Sequence, residues 1–174
     1  MINSRPNNSK YHQGNFIPKN KDKVIKLNNE GGVYFRSSLE QKIMVWLDNN
    51  NKIRIWSAEH LQIPYQLVHS VNGLPTVKSH TYYPDFYYEM IKEDGDIRKV
   101  VVEVKPQTEY KDAILFTEGK FFIPENANLK KLRNIEYRFK MAQKNAEKWK
   151  TMIKWCEKKG FEFIIVTEET LKNI

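Results

Sequence analysis

Cysteine is nearly absent. One thiol, Cys156, in 174 residues allows no internal disulfide, which fits a reducing compartment. No apolar run approaches the roughly 20 residues of a membrane-spanning helix. The N-terminus shows no signal-peptide pattern, so the expectation is a soluble, cytosolic protein with no membrane partner. There is no Gly-rich phosphate loop, which argues against a nucleotide cofactor. His12, His60, His69 and His80 have no zinc-site spacing. A chain of this length can bury a core without staples and fills one ordinary domain.

Charge, by contrast, is plentiful and unevenly placed. Lys plus Arg number 29 against 21 Asp plus Glu, a net +8. Residues 130–159 hold eleven Lys/Arg and three Glu, and residues 1–29 hold six Lys/Arg and one Asp. The two segments therefore carry +8 and +5, leaving the middle mildly acidic by difference. Positive ends can hold phosphates while central carboxylates hold a metal, the division of labour that a nuclease needs.

Residues 1–30 are rich in Asn, Lys and Ser and read as a basic N-terminal arm. Order is expected there only where Phe16, Ile17 and Val24-Ile25 find a packing surface. Residues 31–174 read as a single domain. In "RSSLEQKIMVWLDNN", Ser37 or Ser38 can cap a helix, with Glu40 or Gln41 three residues later. "KIRIWSAEHLQIPYQLV" reads as two short strands, and "NGLP" as a loop. Residues 81–91 and 97–105 read as strands joined through Asp94-Gly95. Residues 107–128 read as irregular, broken by Gly119 and Pro124. Leu132, Ile135, Phe139, Ala142, Ala146, Trp149, Ile153 and Cys156 step by three or four along one long helix that ends at Gly160. "FEFIIV" follows as a short strand. The order predicts an α/β fold, a mixed β-sheet with flanking helices.

The strands around Asp94-Gly95 carry the candidate chemistry. Glu103 and Lys105 share one strand face, while Val102 and Val104 share the other. A two-residue turn would set Asp85 opposite Val104, on the wrong face. A three-residue loop, Glu93-Asp94-Gly95, with Gly95 left-handed, sets Asp85 opposite Glu103, Tyr87 opposite Val101 and Glu89 opposite Lys99. It also sets Phe86 against Val102 and Tyr88 against Val100, so the apolar pattern and the site select one register. Two facing carboxylates repel, and a divalent cation removes the conflict. Mg²⁺ takes oxygen ligands, with the backbone carbonyl of Val104 as a third. Lys105 could orient or deprotonate a water, or stabilise phosphate charge. A structural Asp–Lys or Glu–Lys pair on a solvated face would leave the same pattern. Glu40 is either a capping-box residue or a further ligand of the cluster. Arg36 could contact a phosphate or cover an acidic neighbour. Lys140, Lys144 and Lys148 recur every four residues, as a phosphate-facing ridge or a solvated face. Tyr82 and Tyr83, beside the site, are better candidates for DNA contact than the four tryptophans, which read as packing residues.

"YYPDF" followed by "VVEVKP" resembles the PD-(D/E)xK nuclease superfamily: Pro84-Asp85, a spacer, then Glu103-Val104-Lys105. "YFRSSLEQKIMVWLDNN", "IWSAEHLQIPY", "YYPDF" and "VVEVKP", in that order, are similar to the head completion nucleases of T-even-like tailed bacteriophages. The same order occurs in transposon-end endonucleases. The resemblance implies a restriction-endonuclease-like αβββαβ core and a Mg²⁺-dependent deoxyribonuclease, with Mn²⁺ able to substitute. It implies Asp85 and Glu103 as metal ligands, Glu40 nearby and Lys105 as the catalytic lysine. It further implies work on DNA in phage head completion, in the host cytoplasm or on the virion, with phage head or neck proteins as partners. Restriction, junction resolution, transposon-end cleavage and a non-cutting DNA-binding head connector stand as alternatives.

Overall fold

The computed structural model describes residues 12–71, 74–122, 124 and 128–173. The chain forms its first sheet early. β1 (Gly14–Phe16) pairs antiparallel with β2 (Val33–Phe35). The residues between are tied down from the next helix: the buried Asp48 carboxylate accepts the Lys19 N–H at 2.8 Å and the Asn20 N–H at 3.0 Å. Of the arm's four expected packing residues, Phe16 and Val24 reach the core, while Ile17 and Ile25 are exposed. Residues 1–11 of the arm lie outside the described residues.

α1 (Ser38–Asn49) starts as its sequence predicts. Ser37 is the N-cap; its hydroxyl oxygen accepts the Glu40 N–H at 3.1 Å. The stripe Ile43, Met44 and Leu47 is buried, because Leu47 lies three and four positions on from Met44 and Ile43, steps that share a helix face. Beyond it, β3 (Ile53–Ala58) belongs to the main sheet. β4 (Ile63–Val71) and β5 (Leu74–Tyr82) form a separate two-stranded ribbon. Nine residues per strand, at about 3.3 Å each, carry it roughly 30 Å. Leu74 and Pro75, expected in the loop, open β5; Asn72 and Gly73 lie outside the described residues.

The strand expected over residues 81–91 is in fact two. Tyr82 closes β5, and β6 (Phe86–Ile91) begins after Pro84-Asp85. Proline cannot donate to a ladder, so the chain leaves the ribbon there and enters the main sheet. β6 pairs with β7 (Ile97–Val104) in the register the apolar pattern selects: Phe86 with Val102, Tyr87 with Val101, Tyr88 with Val100, Glu89 with Lys99. The loop is the three-residue one. The Lys92 carbonyl accepts from Gly95, the Lys92 N–H donates to Asp96, and Gly95 has φ 86°.

Residues 107–128 hold a helix that the sequence reading missed, α2 (Gln107–Thr117). Its inner face is Asp112 and Ala113, not a run of large apolar residues, so no periodic signal marks it. Contacts outside the segment hold it: Arg138 Nε donates to Asp112 at 2.8 Å, and Phe116 meets Phe139 edge-on at 5.2 Å. Arg138 and Phe139 belong to α3 (Leu129–Lys159). On α3 the buried positions include Ile135, Ala142, Trp149, Met152 and Cys156, whereas Ile153, expected on the stripe, is 47% exposed. Met152 takes the inward position, since three then four steps from Trp149 hold the stripe over the sheet.

β8 (Glu162–Val166) then pairs parallel with β7. The main sheet runs β3-β6-β7-β8. α1 covers the face of Phe86, Tyr88, Val100 and Val102; α3 covers the face of Tyr87 and Val101. In chain order α1, β3, β6, β7, α3 and β8 make an αβββαβ core, a mixed α/β fold of the restriction-endonuclease type, with the ribbon and α2 as additions.

Candidate active site

The chemistry-bearing residues gather where β7 ends and β6 begins. Asp85 precedes β6, and its Oδ2 accepts the Val104 N–H at 2.6 Å. Glu103 is 1% exposed on the α3 face of β7. Lys105, just past the strand, places its Nζ 3.0 Å from Glu103 Oε1. Burial, then the Glu103 charge, push the Asp85 carboxyl up to about 7, against the opposing pull of Lys105 and the Val104 N–H. Burial pulls the Lys105 ammonium down, but Glu103 and Asp85 outweigh it and hold it above the usual lysine range. The two carboxylates thus hold Lys105 as an ammonium in the metal-free protein.

Glu40 stands apart from this trio. Its Oε2 accepts the Arg36 N–H at 2.9 Å and its Oε1 the Ser37 hydroxyl at 3.0 Å. It completes the capping box at the head of α1, across the sheet end from Glu103. It remains close enough to raise the Asp85 pKa by repulsion. Glu40, Arg36, Val104 and Lys105 line one cleft of about 880 Å³. The Arg36 side chain pairs with Glu59, Nη2 to Oε2 at 3.2 Å.

Among the described residues, no three His, Cys, Asp or Glu side chains stand together as a metal-holding group. The pair Asp85 and Glu103 nevertheless suits a hard cation. Its side-chain donors are carboxylate oxygens, as Mg²⁺ prefers, and Glu103 adds its repulsion to the burial that raises the Asp85 pKa. Val104, whose carbonyl is the expected third ligand, lies between Glu103 and Lys105 on the cleft wall.

Two residues sit differently from a DNA-facing surface. Tyr82 is 1% exposed, and its hydroxyl donates to Glu103 Oε2. Lys148 is half-buried, with its Nζ 4.6 Å from the Tyr82 ring centre. Burial sets its pKa below the ordinary lysine value despite the Glu103 charge. The sequence offered a signal for Lys148, which adjoins the buried stripe at Trp149, but none for Tyr82, whose placement depends on the strand break at Pro84. Tyr83 is exposed, as are Lys140 and Lys144. Lys140 is bound to Glu136 Oε1 at 2.6 Å.

This core, with Pro84-Asp85 and Glu103-Val104-Lys105 at its strand ends, defines a PD-(D/E)xK-type nuclease fold. Residues 50–168 match the TnsA-like endonuclease N-terminal family, and the chain belongs to that family. The matched segment holds Asp85, Glu103, Val104 and Lys105; Arg36 and Glu40 precede it. Over 167 residues the chain is 28% identical to the head completion nuclease of Enterobacteria phage T4, covering 94% of this chain and 95% of that protein.

Proposed function

We propose that the protein is a metal-dependent deoxyribonuclease that hydrolyses DNA phosphodiester bonds during phage head completion. The observation that carries this reading is the Asp85–Glu103–Lys105 cluster. Two carboxylates stand in mutual repulsion beside one fixed ammonium, at the edge of an open cleft. Water adds at phosphorus and the bond to the leaving oxygen breaks. The Lys105 ammonium stabilises the charge that grows on the phosphate oxygens. Asp85 and Glu103 would hold Mg²⁺, or Mn²⁺ in its place, which supplies an activated water and offsets phosphate charge. Glu40 joins Asp85 electrostatically from the capping box. Arg36, Tyr83, Lys140 and Lys144 would meet the DNA backbone from the rim.

The phage role is supported by end-to-end similarity to the T4 protein, whose name states head completion. On this reading the protein acts on the filled head, after packaging and before or during tail joining, in the host cytoplasm or on the virion and beside head or neck proteins. The family match favours a second reading, cleavage at transposon ends. Incubation of plasmid with Mg²⁺ and purified protein tests the activity. Cutting is expected from the wild type and lost by at least a hundredfold in Asp85→Ala and Lys105→Ala. Retained cutting in both variants would place the site elsewhere. Binding without cutting would favour a head connector, and preference for defined transposon ends the second reading.

A further inference from the structure

Both oxygens of the Glu103 carboxylate are held, each by a different residue. Lys105 takes Oε1 from the same strand end. Tyr82 takes Oε2 from the last position of β5, a strand outside the main sheet. The Tyr82 ring is buried in one cluster with Ile63, Tyr65, Leu67 and Met152, with Tyr65 edge-on at 6.5 Å. Lys148, from α3, lies over the ring at 4.6 Å. Phenylalanine would fill this space equally well, so packing does not call for the hydroxyl. Among the described residues its acceptor is Glu103. A phenol is protonated at neutral pH, so against a carboxylate oxygen the hydroxyl is the donor. A carboxylate oxygen has two lone pairs, and a donor on one of them leaves the other free.

We propose that Tyr82, backed by Lys148, is a positioning residue that fixes the rotamer of Glu103 so that its remaining lone pairs face Asp85 and a bound divalent cation. Outer partners of this kind orient ligands and raise their affinity for the ion. The three parts of the device come from the ribbon, the main sheet and α3, so the ribbon's base is part of the site. The proposal rests on the nuclease reading for the reaction served, but its first readout is ion binding.

Titration calorimetry of the full chain with Mn²⁺ tests it, comparing wild type with Tyr82→Phe and Lys148→Met. Tyr82→Phe is expected to weaken Mn²⁺ by about tenfold. Metal-free DNA affinity should be unchanged, and cutting should be restored at raised Mn²⁺. Lys148→Met removes the ring's backing together with a cation beside the carboxylates, whose loss by itself favours Mn²⁺, so it should weaken Mn²⁺ by less than Tyr82→Phe does. Wild-type Mn²⁺ affinity in the variants overturns the proposal. So does a loss of metal-free DNA affinity as large as the loss for Mn²⁺, which would make Tyr82 a DNA contact. Wild type that binds Mn²⁺ but cuts no DNA defeats the nuclease reading and leaves the positioning role standing on the affinity ratio. Wild type that binds no Mn²⁺ defeats both.

Discussion

Two carboxylates on the α3 face of the main sheet, Glu89 buried and Asp85 half-buried, show opposite solutions to the same problem. Glu89, 6% exposed, accepts the Tyr87 hydroxyl at 2.7 Å and Arg54 Nε at 3.0 Å. Burial pushes its carboxyl up, but Tyr87 and Arg54 outweigh that and leave it below the ordinary glutamate range. Asp85 has no such cover and is pushed up. The first residue serves stability; the second leaves charge to be met by something else. A depressed folded pKa adds stability above the unfolded value of about 4.3, and that stability is lost as pH falls through the folded value. Glu89→Gln should therefore unfold at lower urea concentration at neutral pH. The gap from wild type should narrow as pH drops from about 5 to 3. A gap that widens in acid would contradict the assignment. Arg54 was not legible as a partner, because its approach to Glu89 requires the β3–β6 pairing, which joins residues 35 apart.

The element that positions the site is the β6–β7 hairpin, and its register was legible because two independent demands agreed. Valine against aromatic on one face, and acid against acid on the other, both require the three-residue loop seen at Glu93-Asp94-Gly95. Deleting Glu93 would leave a two-residue turn, which offers either a slipped β6 or a lost core layer, since a one-residue slip moves every side chain to the opposite face. The deletion should abolish metal-dependent cutting while the protein still folds through Phe86 and Tyr88. Gly95→Ala is the milder control. Its φ of 86° strains any L side chain, at about 1–2 kcal/mol in urea unfolding, yet the paired core residues should keep the register and the activity. Gly95→Ala losing as much activity as the deletion would mean that the glycine does more than turn the chain. α2 was illegible for the converse reason. It buries Asp112 against Arg138, and an ion pair 26 residues apart leaves no periodic trace in either segment.

At the scale of the whole molecule, the sequence showed the charge asymmetry but not which cations are free to use it. α3 spans 31 residues, about 46 Å at 1.5 Å per residue, which is more than one turn of B-form DNA. Of the three lysines spaced by four along it, Lys140 is engaged by Glu136 and Lys148 is turned inward over Tyr82. Lys144 is exposed and makes no ion pair among the described residues. A cation that already has a carboxylate partner displaces little of the counterion atmosphere of DNA, whereas a free one displaces about one ion per phosphate met. The three should therefore differ when DNA affinity is measured without metal across a salt series. Lys144→Ala should lower the slope of log affinity against log salt by about one. Lys140→Ala should change it by less than half of that. Lys148→Met should leave the slope unchanged. Equal slope changes at all three positions would mean that the helix face rearranges on DNA, and no change at any would move the DNA path off α3 toward the Arg36 cleft.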